Sequence, residues 1–419
     1  LRDRIRFVHA ADLHLDAPFQ GLAADDERVG RELAEATYEA WRRIVDLAID
    51  QAVDMVVVAG DAYNSADRSL RAQLRFREQV LRLDAAGIPT LLVHGNHDPA
   101  VGWSAGLRLP DSVRVLSASE VERVEVVHDG DIVCAVYGRS FAKAAETDNL
   151  AAGYRRRPGD TIAIGVLHAN VGGHPDYDQY APCTVDDLRA GDMDYWALGH
   201  VHKHEVLATD PHVVYAGSPQ GLNPKETGGH GCCLVEMTAT GAVSLEHVDL
   251  APIAWTSMEL DATDVSDLDG VESLVTDACE AARTDARRPV IARIAITGRT
   301  PVHASLARAG AVADLTDSLR AQEAQATPWV WIDRLTDRTA SPIDLDGLRS
   351  VRDFAGELVT VSDELAASPE ALEDLVSEVT GQLREKVRGY EPTLGTAALL
   401  EAARDRALDA LLGEAGDAR

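Results

Sequence analysis

Short β-branched runs recur through the first half of the chain, at Ile5 to His9, Met55 to Ala59, Thr90 to His94, Ile132 to Tyr137, Ile162 to Leu167 and Tyr195 to Leu198. Each is followed by a polar or glycine turn and often by a helix-like stretch. Val29, Leu33, Thr37, Trp41, Ile44 and Ala48 recur at helical spacing, and Leu70, Leu74 and Leu81 mark a second helix. Strands that alternate with helices restrict the chain to an α/β layered domain. Farther on, Val213 to Tyr215 and Cys232 to Glu236, separated by glycine turns, read as more purely β.

Around Ala251-Pro252-Ile253 the pattern resets. Residues 256–340 read as strand, helix (Val271 to Ala282), strand (Val290 to Ile296), helix (near 311–323) and strand (Trp329 to Asp333), a small α+β unit. Beyond it Ser368-Pro369 is an N-cap and first-turn pair, and Leu372, Leu375, Val376, Val379, Leu383 and Val387 form one apolar face before Gly389. A second helix has Leu399, Leu400, Ala403, Ala407, Leu408, Leu411 and Leu412 along its seam and ends at Gly413. The 419 residues, at roughly 150 per domain, accommodate the resulting division into 1–252, 253–340 and 341–419.

The function classes narrow with charge. Forty Lys and Arg stand against 69 Asp and Glu, a net −29, while 46% of residues are hydrophobic. Wholesale disorder is excluded. Nucleic acid is repelled at long range, so a role on DNA needs metal ions, a local Arg patch or a partner's positive surface. Cys134, Cys183, Cys232, Cys233 and Cys279 have no C-x-x-C spacing, which fits a reducing compartment. No run approaches the ~18 apolar residues of a membrane helix, so a soluble, cytoplasmic protein without a membrane partner is expected. The chain starts with Leu1 and not Met, as if its first residues had been removed or not included.

Five polar motifs each follow an apolar run: Asp12-Leu13-His14, Gly60-Asp61, Gly95-Asn96-His97-Asp98, His168 in Leu-His-Ala-Asn, and Gly199-His200-Val201-His202. In an open α/β sheet, loops at the carboxyl ends of strands converge on the ligand crevice. Singly these motifs are weak, since a lone Gly-Asp is usually a turn and a lone His usually a structural residue. As an ordered set they point to a pair of divalent cations, which needs one carboxylate to bridge and imidazoles and oxygens outside it. Asp61 is the natural bridge. Asp12, His14 and one His of the Gly-His-Val-His pair complete one metal; Asn96, His168 and the other His complete the second. On extended backbone, residues two apart point the same way, and glycines before Asp61, Asn96 and His200 permit tight turns.

The ordered set D-x-H, GD, GNH[DE], H, GHxH resembles the calcineurin-like metallophosphoesterase superfamily over about residues 5–235. The resemblance implies a four-layer sandwich of two β-sheets flanked by helices, here with a small α+β capping domain and C-terminal helices. It puts Asp12, His14, Asp61 and His202 on one metal, Asp61, Asn96, His168 and His200 on the other, and makes His97 the catalytic, non-ligand histidine. Gly60-Asp61-Ala62-Tyr63-Asn64 departs from the protein phosphatase pattern GDxxDRG, and Asn64 stands where purple acid phosphatases need Tyr. Ala11 to Phe19, Tyr180-Ala181-Pro182-Cys183 and Tyr215 to Gln220 resemble the SbcD and YhaO-type (Mre-like) DNA repair exonucleases.

That branch implies manganese as the metal pair, DNA as substrate, and an SbcC-like coiled-coil ATPase docked on the C-terminal helices, with a homodimer as a further partner arrangement. Asn64 occupies a position where some members carry a His implicated in nuclease activity. Arg155, Arg156 and Arg157 are the one dense basic run and the candidate phosphate contact, although most such runs are solvated loops. His174 and Tyr177, in the loop after His168, are weaker substrate candidates, and His204 reads as a solvated His. No GxxxxGK[ST] loop is present, so ATP-driven steps belong to another chain. The expected function is a metal-dependent DNA nuclease subunit of an SbcCD-like repair complex. Its rivals are a small-nucleotide phosphodiesterase and a weakly active structural subunit for the ATPase.

Overall fold

The computed structural model describes residues 4–19, 22, 26–102, 106–128, 130–386 and 395–413. Leu1, Val387 and Gly389 lie outside the described residues, as does the side chain of Leu383. The chain divides into two compact units, one of residues 1–256, 286–291 and 327–331, the other of residues 257–285, 292–326 and 332–419.

The first unit holds two six-stranded mixed sheets. Its elements run β1 (Arg4–Ala10), α1 (Glu27–Asp50), β2 (Met55–Ala59), α2 (Leu70–Ala85), β3 (Thr90–Val93), β4 (Val113–Val115), β5 (Glu122–His128), β6 (Asp131–Gly138), β7 (Ala163–His168), α3 (Val185–Arg189), β8 (Tyr195–Gly199), β9 (Glu205–Thr209), β10 (His212–Tyr215), β11 (Gly231–Thr238) and β12 (Val243–Asp249). One sheet is ordered β12-β11-β1-β2-β3-β4 and the other β5-β6-β7-β8-β10-β9. The chain alternation is realised as parallel pairs β1/β2 and β2/β3 in one sheet and β6/β7 and β7/β8 in the other.

The sequence Met-Val-Val-Val-Ala of β2 explains the layering. All five residues are buried, because a central parallel strand is covered on both faces. Met55, Val57 and Ala59 pack against Ile164, Val166, Tyr195 and Ala197 of the facing sheet. Val56 and Val58 pack outward under Trp41 and Ile44 of α1 and Phe76 and Val80 of α2. On the far face of the other sheet, Trp196, Leu198 and Tyr215 are covered by Leu150, Tyr154 and Leu188. The result is the four-layer sandwich.

Both helices stand where the sequence places them, and the structure shows which face of each is packed. Val29, Leu33, Thr37, Trp41, Ile44 and Ala48 are all buried in α1, whose first turn is capped by the Asp26 carboxylate. In α2, by contrast, Leu70, Leu74 and Leu81 are 52%, 46% and 43% exposed, and Ala72, Phe76, Val80 and Leu83 form the packed face. The aromatic ring stacked on Trp41 is Phe76, and burying it turns the leucines outward.

A three-stranded sheet carries the α+β region: β13 (Ala254–Asp261), β14 (Val290–Arg299) and β15 (Val330–Ala340), with α4 (Leu268–Ala286), α5 (His303–Leu306) and α6 (Ala311–Glu323) between them. Four helices follow, α7 (Leu345–Arg349), α8 (Phe354–Ala366), α9 (Pro369–Lys386) and α10 (Thr396–Gly413); sequence periodicity marks only the last two. Leu372 is buried while Leu375 and Val379 are exposed. On α10 Leu408 is buried and Leu399, Leu400 and Ala407 are half-buried, Asp405 pairs with Arg299 and Asp409 with His303, and Leu411 and Leu412 are exposed. No helix among the described residues is long and apolar enough to cross a membrane.

Candidate metal centre

The carboxyl ends of β1, β2 and β3 in one sheet meet those of β7 and β8 in the other, and the five motifs lie there. Asp12 and His14 follow β1, Asp61 follows β2, Asn96 and His97 follow β3, His168 ends β7, and His200 and His202 follow β8. Backbone bonds tie the loops: Asp12 N–H donates to Gly60 O (3.0 Å) and His14 N–H to Asp61 O (3.0 Å). The buried Asp98 carboxylate accepts from Gly95 N (2.8 Å) and Ala62 N (3.0 Å), locking the second motif to the third.

The extended-backbone reading of these motifs is corrected by the structure. Asp12, His14, Asp61 and His200 have φ of 51°, 41°, 51° and 101°, in the left-handed region that costs a non-glycine residue about 1–3 kcal/mol. Asp12 and His14 therefore converge through a tight loop held by the bonds to Gly60 and Asp61, and not through strand alternation. Of the three motif glycines only Gly60 is left-handed, at φ +96°. At Gly95 the requirement is close approach, since a Cβ there would lie 2.3 Å from Asp61 Oδ1.

Three groups of donor atoms each fall within 4.8 Å of one another: Asp12, His14 and His202; His14, Asp61 and His97; Asp12, Asp61 and His168. Asp12, His14 and Asp61 each belong to two of them, and Asp61 Oδ2 lies 3.4 Å from His168 Nε2 and 3.9 Å from His14 Nε2. Asn96 Oδ1 is 3.0 Å from His168 Nε2, and His14 Nε2 is 3.1 Å from His202 Nε2.

Partners on the opposite ring atoms decide which nitrogens are bare. His168 donates its Nδ1–H to Ala59 O (3.0 Å), His202 its Nδ1–H to Glu226 Oε1 (2.8 Å), and His200 its Nε2–H to Asp178 O (2.8 Å). This leaves Nε2 of His168, Nε2 of His202 and Nδ1 of His200 as acceptors. His168 Nε2 then faces two oxygen acceptors, an arrangement that needs a positive charge. Nitrogen and oxygen donors of this kind suit several divalent ions, so the residues fit a pair of divalent cations.

Electrostatics point the same way. Burial opposes a charged His168, yet the Asp61 carboxylate overrides it and lifts the pKa to about 9. Burial also disfavours the Asp61 carboxylate, but His168 and its neighbours hold it well below the usual range. Burial, reinforced by Asp61, raises Asp12 to about 6 against the pull of His168 and His202. Burial drives His14 down to about 3 and His200 to about 4.

The site opens into a pocket of about 310 Å³. Its walls are Asp61, Asn96, His97, His200 and His202 on one side and Pro175 to Asp178 on the other, and no Lys or Arg lines it among the described residues. His97 is exposed at the rim, its Nδ1–H held by the carbonyl of Asn64 at 3.0 Å, with its ring edge-on to His14. The Asn64 contribution is thus made by its backbone. Arg155, Arg156 and Arg157 do not line the pocket: Arg155 bonds Tyr154 O, and Arg156 pairs with Asp194 and caps the carbonyls of Asp160 and Thr161.

Two side chains escaped the sequence reading. Asn170, fully buried two residues after His168, donates to the carbonyls of His174, Tyr177 and Asp178 and accepts from His174 N. It holds the loop that presents Tyr177, whose hydroxyl accepts from His202 N at 3.1 Å. Its place in Leu-His-Ala-Asn was the available signal. Glu226 had none, being a lone acid in a loop 24 positions after His202.

A family model described as calcineurin-like phosphoesterase matches residues 5–204, and one described as metallophosphoesterase YhaO, middle domain, matches residues 255–340. The chain is 35% identical over 345 residues to the uncharacterized metallophosphoesterase YhaO of Bacillus subtilis, covering 82% of this chain and 84% of that protein. It is 28% identical over 378 residues to the DNA double-strand break repair protein Mre11 of Methanopyrus kandleri, covering 82% and 75%. With one subunit of the nuclease SbcCD of Escherichia coli it shares 24% identity over 261 residues, 54% of this chain and 62% of that protein.

Proposed function

The chain belongs to the calcineurin-like metallophosphoesterases, phosphoester hydrolases with a binuclear divalent metal site, and from that premise we propose that it is a manganese-dependent DNA nuclease subunit. The observation that carries the chemistry is the set of acceptor atoms from five strand ends facing one another beside a pocket without a Lys or Arg among its described lining residues. Such a pocket attracts a phosphate only through cations. DNA as the substrate is supported by the similarity to a double-strand break repair protein over 82% of the chain.

When bound, two divalent cations supply Lewis-acid polarisation of the phosphate and a nucleophile at neutral pH. Asp61 would be shared between them, with Asp12, His14 and His202 holding one and Asn96, His168 and His200 the other. His97 protonates the leaving oxygen, and the Asn64 carbonyl fixes which of its nitrogens does so. Tyr177 and Pro175 wall the pocket opposite and contact the nucleotide flanking the scissile phosphate. Residues 253–340 act as a cap. Residues 341–419 dock a coiled-coil ATPase through the apolar side chains that α9 and α10 leave exposed, Leu375, Val379, Leu411 and Leu412.

The test is an assay of the purified chain with Mn²⁺ on end-labelled single- and double-stranded DNA and, in parallel, on cyclic nucleotides. Mn²⁺-dependent shortening of DNA supports the proposal. Turnover of cyclic nucleotides with intact DNA would favour a small-nucleotide phosphodiesterase.

A further inference from the structure

The histidines of the centre are backed unequally. His168 gives its Nδ1–H to the Ala59 carbonyl and His200 its Nε2–H to the Asp178 carbonyl, both neutral acceptors. His202 alone of these three gives its Nδ1–H to a carboxylate, Glu226 Oε1 at 2.8 Å.

Glu226 is anchored independently of His202. Its Oε2 accepts from Leu222 N (2.7 Å), its Oε1 also accepts from Asn223 Nδ2 (2.6 Å), and its side chain is 12% exposed. The loop is packed closely around it: a Cβ on Gly221 would lie 2.7 Å from the Glu226 carbonyl oxygen, which also receives His230 Nε2 at 3.2 Å. The carboxylate is therefore in place before any ion arrives.

A carboxylate behind an imidazole fixes the tautomer more firmly than a carbonyl and raises the basicity of the opposite nitrogen. Here that nitrogen is His202 Nε2, which stands 3.1 Å from His14 Nε2 and in one donor group with Asp12. The histidine that faces Asn96, His168, lacks such support, and Asn96 itself is neutral.

We infer that Glu226 is a positioning residue that makes the Asp12, His14 and His202 position the tighter of two cation positions, so that the centre loads in two unequal steps with this position first. The inference rests on reading the site as a two-cation centre, and it adds which half fills first and why.

Calorimetric titration of the metal-free chain with Mn²⁺ tests it without recourse to activity. The wild-type chain should bind in two resolved steps. Glu226→Gln should weaken the tighter step by roughly 10- to 100-fold and leave the weaker step where it was. In an Asn96→Ala background, which removes the second position, the single remaining step should be the one that Glu226→Gln weakens. A titration unchanged by Glu226→Gln, or one in which both steps weaken equally as in a general loosening of the fold, overturns the inference. If Glu226→Gln does not fold, Asn223→Ala removes one anchor of the carboxylate and should weaken the same step by less; no change there overturns it equally. A wild-type chain that binds no Mn²⁺ overturns the two-cation reading as well, whereas two bound ions indifferent to Glu226→Gln overturn this inference alone.

Discussion

His14 and His202 point their Nε2 atoms at each other across 3.1 Å. The Nδ1–H of His202 is committed to Glu226, so its Nε2 is an acceptor, and burial holds His14 neutral with a pKa near 3. Only a shared proton or a cation makes this approach favourable. Two loops at strand ends of different sheets, after β1 and after β8, are forced together here, and the stability of that junction depends on what joins the two nitrogens.

Mn²⁺ should therefore stabilise the fold. An ion at one hundred times its Kd adds about 2.7 kcal/mol, which in a unit of this size raises Tm by roughly 5–10 °C per ion. Thermal melts with Mn²⁺ and after chelation check this. A Tm indifferent to both would remove the centre from the stability of the fold.

Asp61→Ala and His97→Ala should separate binding from catalysis. Without the carboxylate proposed as the bridge, Asp61→Ala should lose bound metal and all hydrolysis. His97→Ala should keep about two ions per chain and slow turnover by roughly 100- to 10,000-fold, the usual worth of a general acid. Elemental analysis beside the rate measurement decides, and two ions retained by Asp61→Ala would refute the bridge.

Asn170→Ala should loosen the pocket wall without touching a proposed ligand. The change removes the acceptor of the His174 N–H and one of the donors to the carbonyls of His174, Tyr177 and Asp178, each of which keeps another, at about 1–3 kcal/mol. Faster amide exchange confined to residues 172–180 is the expected result, with KM rising more than kcat falls. Exchange unchanged in that loop would assign its order to other bonds.

Acid sensitivity should trace in part to His9, away from the centre. Its ring is fully buried between the Tyr195 hydroxyl and the Leu198 carbonyl, and burial lowers its pKa from 6.5 to about 3. The unfolded chain thus takes up a proton that the folded chain refuses. Stability is unaffected above about pH 6.5 and falls as pH drops below it, by about 1.4 kcal/mol per pH unit until the folded pKa is reached. Urea unfolding of metal-free protein at about pH 7 and pH 5 should show the wild-type chain losing about 2 kcal/mol more than His9→Gln over that interval, and equal losses in the two would remove His9 from the acid response.

DNA binding by the isolated chain should depend weakly on salt. Each phosphate neutralised by Lys or Arg contributes a slope of about −0.9 in log K against log salt. The net charge is −29, and Arg156 of the one basic run is already paired with Asp194. A steep slope without the ATPase would reveal a basic face that the composition conceals.

The sequence by itself determined the strands and the residue types at their ends. Met55 to Ala59 is legible as a buried strand because every one of its side chains is apolar, and Asp12, His14, Asp61, Asn96, His168, His200 and His202 are legible because each follows such a run. These are local facts, written within a few residues of one another. Tertiary structure decided the rest. It turned Leu70, Leu74 and Leu81 outward in favour of Phe76. It bent Asp12 and His14 into left-handed backbone, where the motif spacing suggests extended chain. It chose which imidazole nitrogens are bare, through the carbonyls of Ala59, Asn64 and Asp178 and the carboxylate of Glu226. Those choices were illegible because every residue carries a carbonyl and acids are common in loops. Only the closing of the two sheets brings a particular oxygen within hydrogen-bond reach of a particular ring.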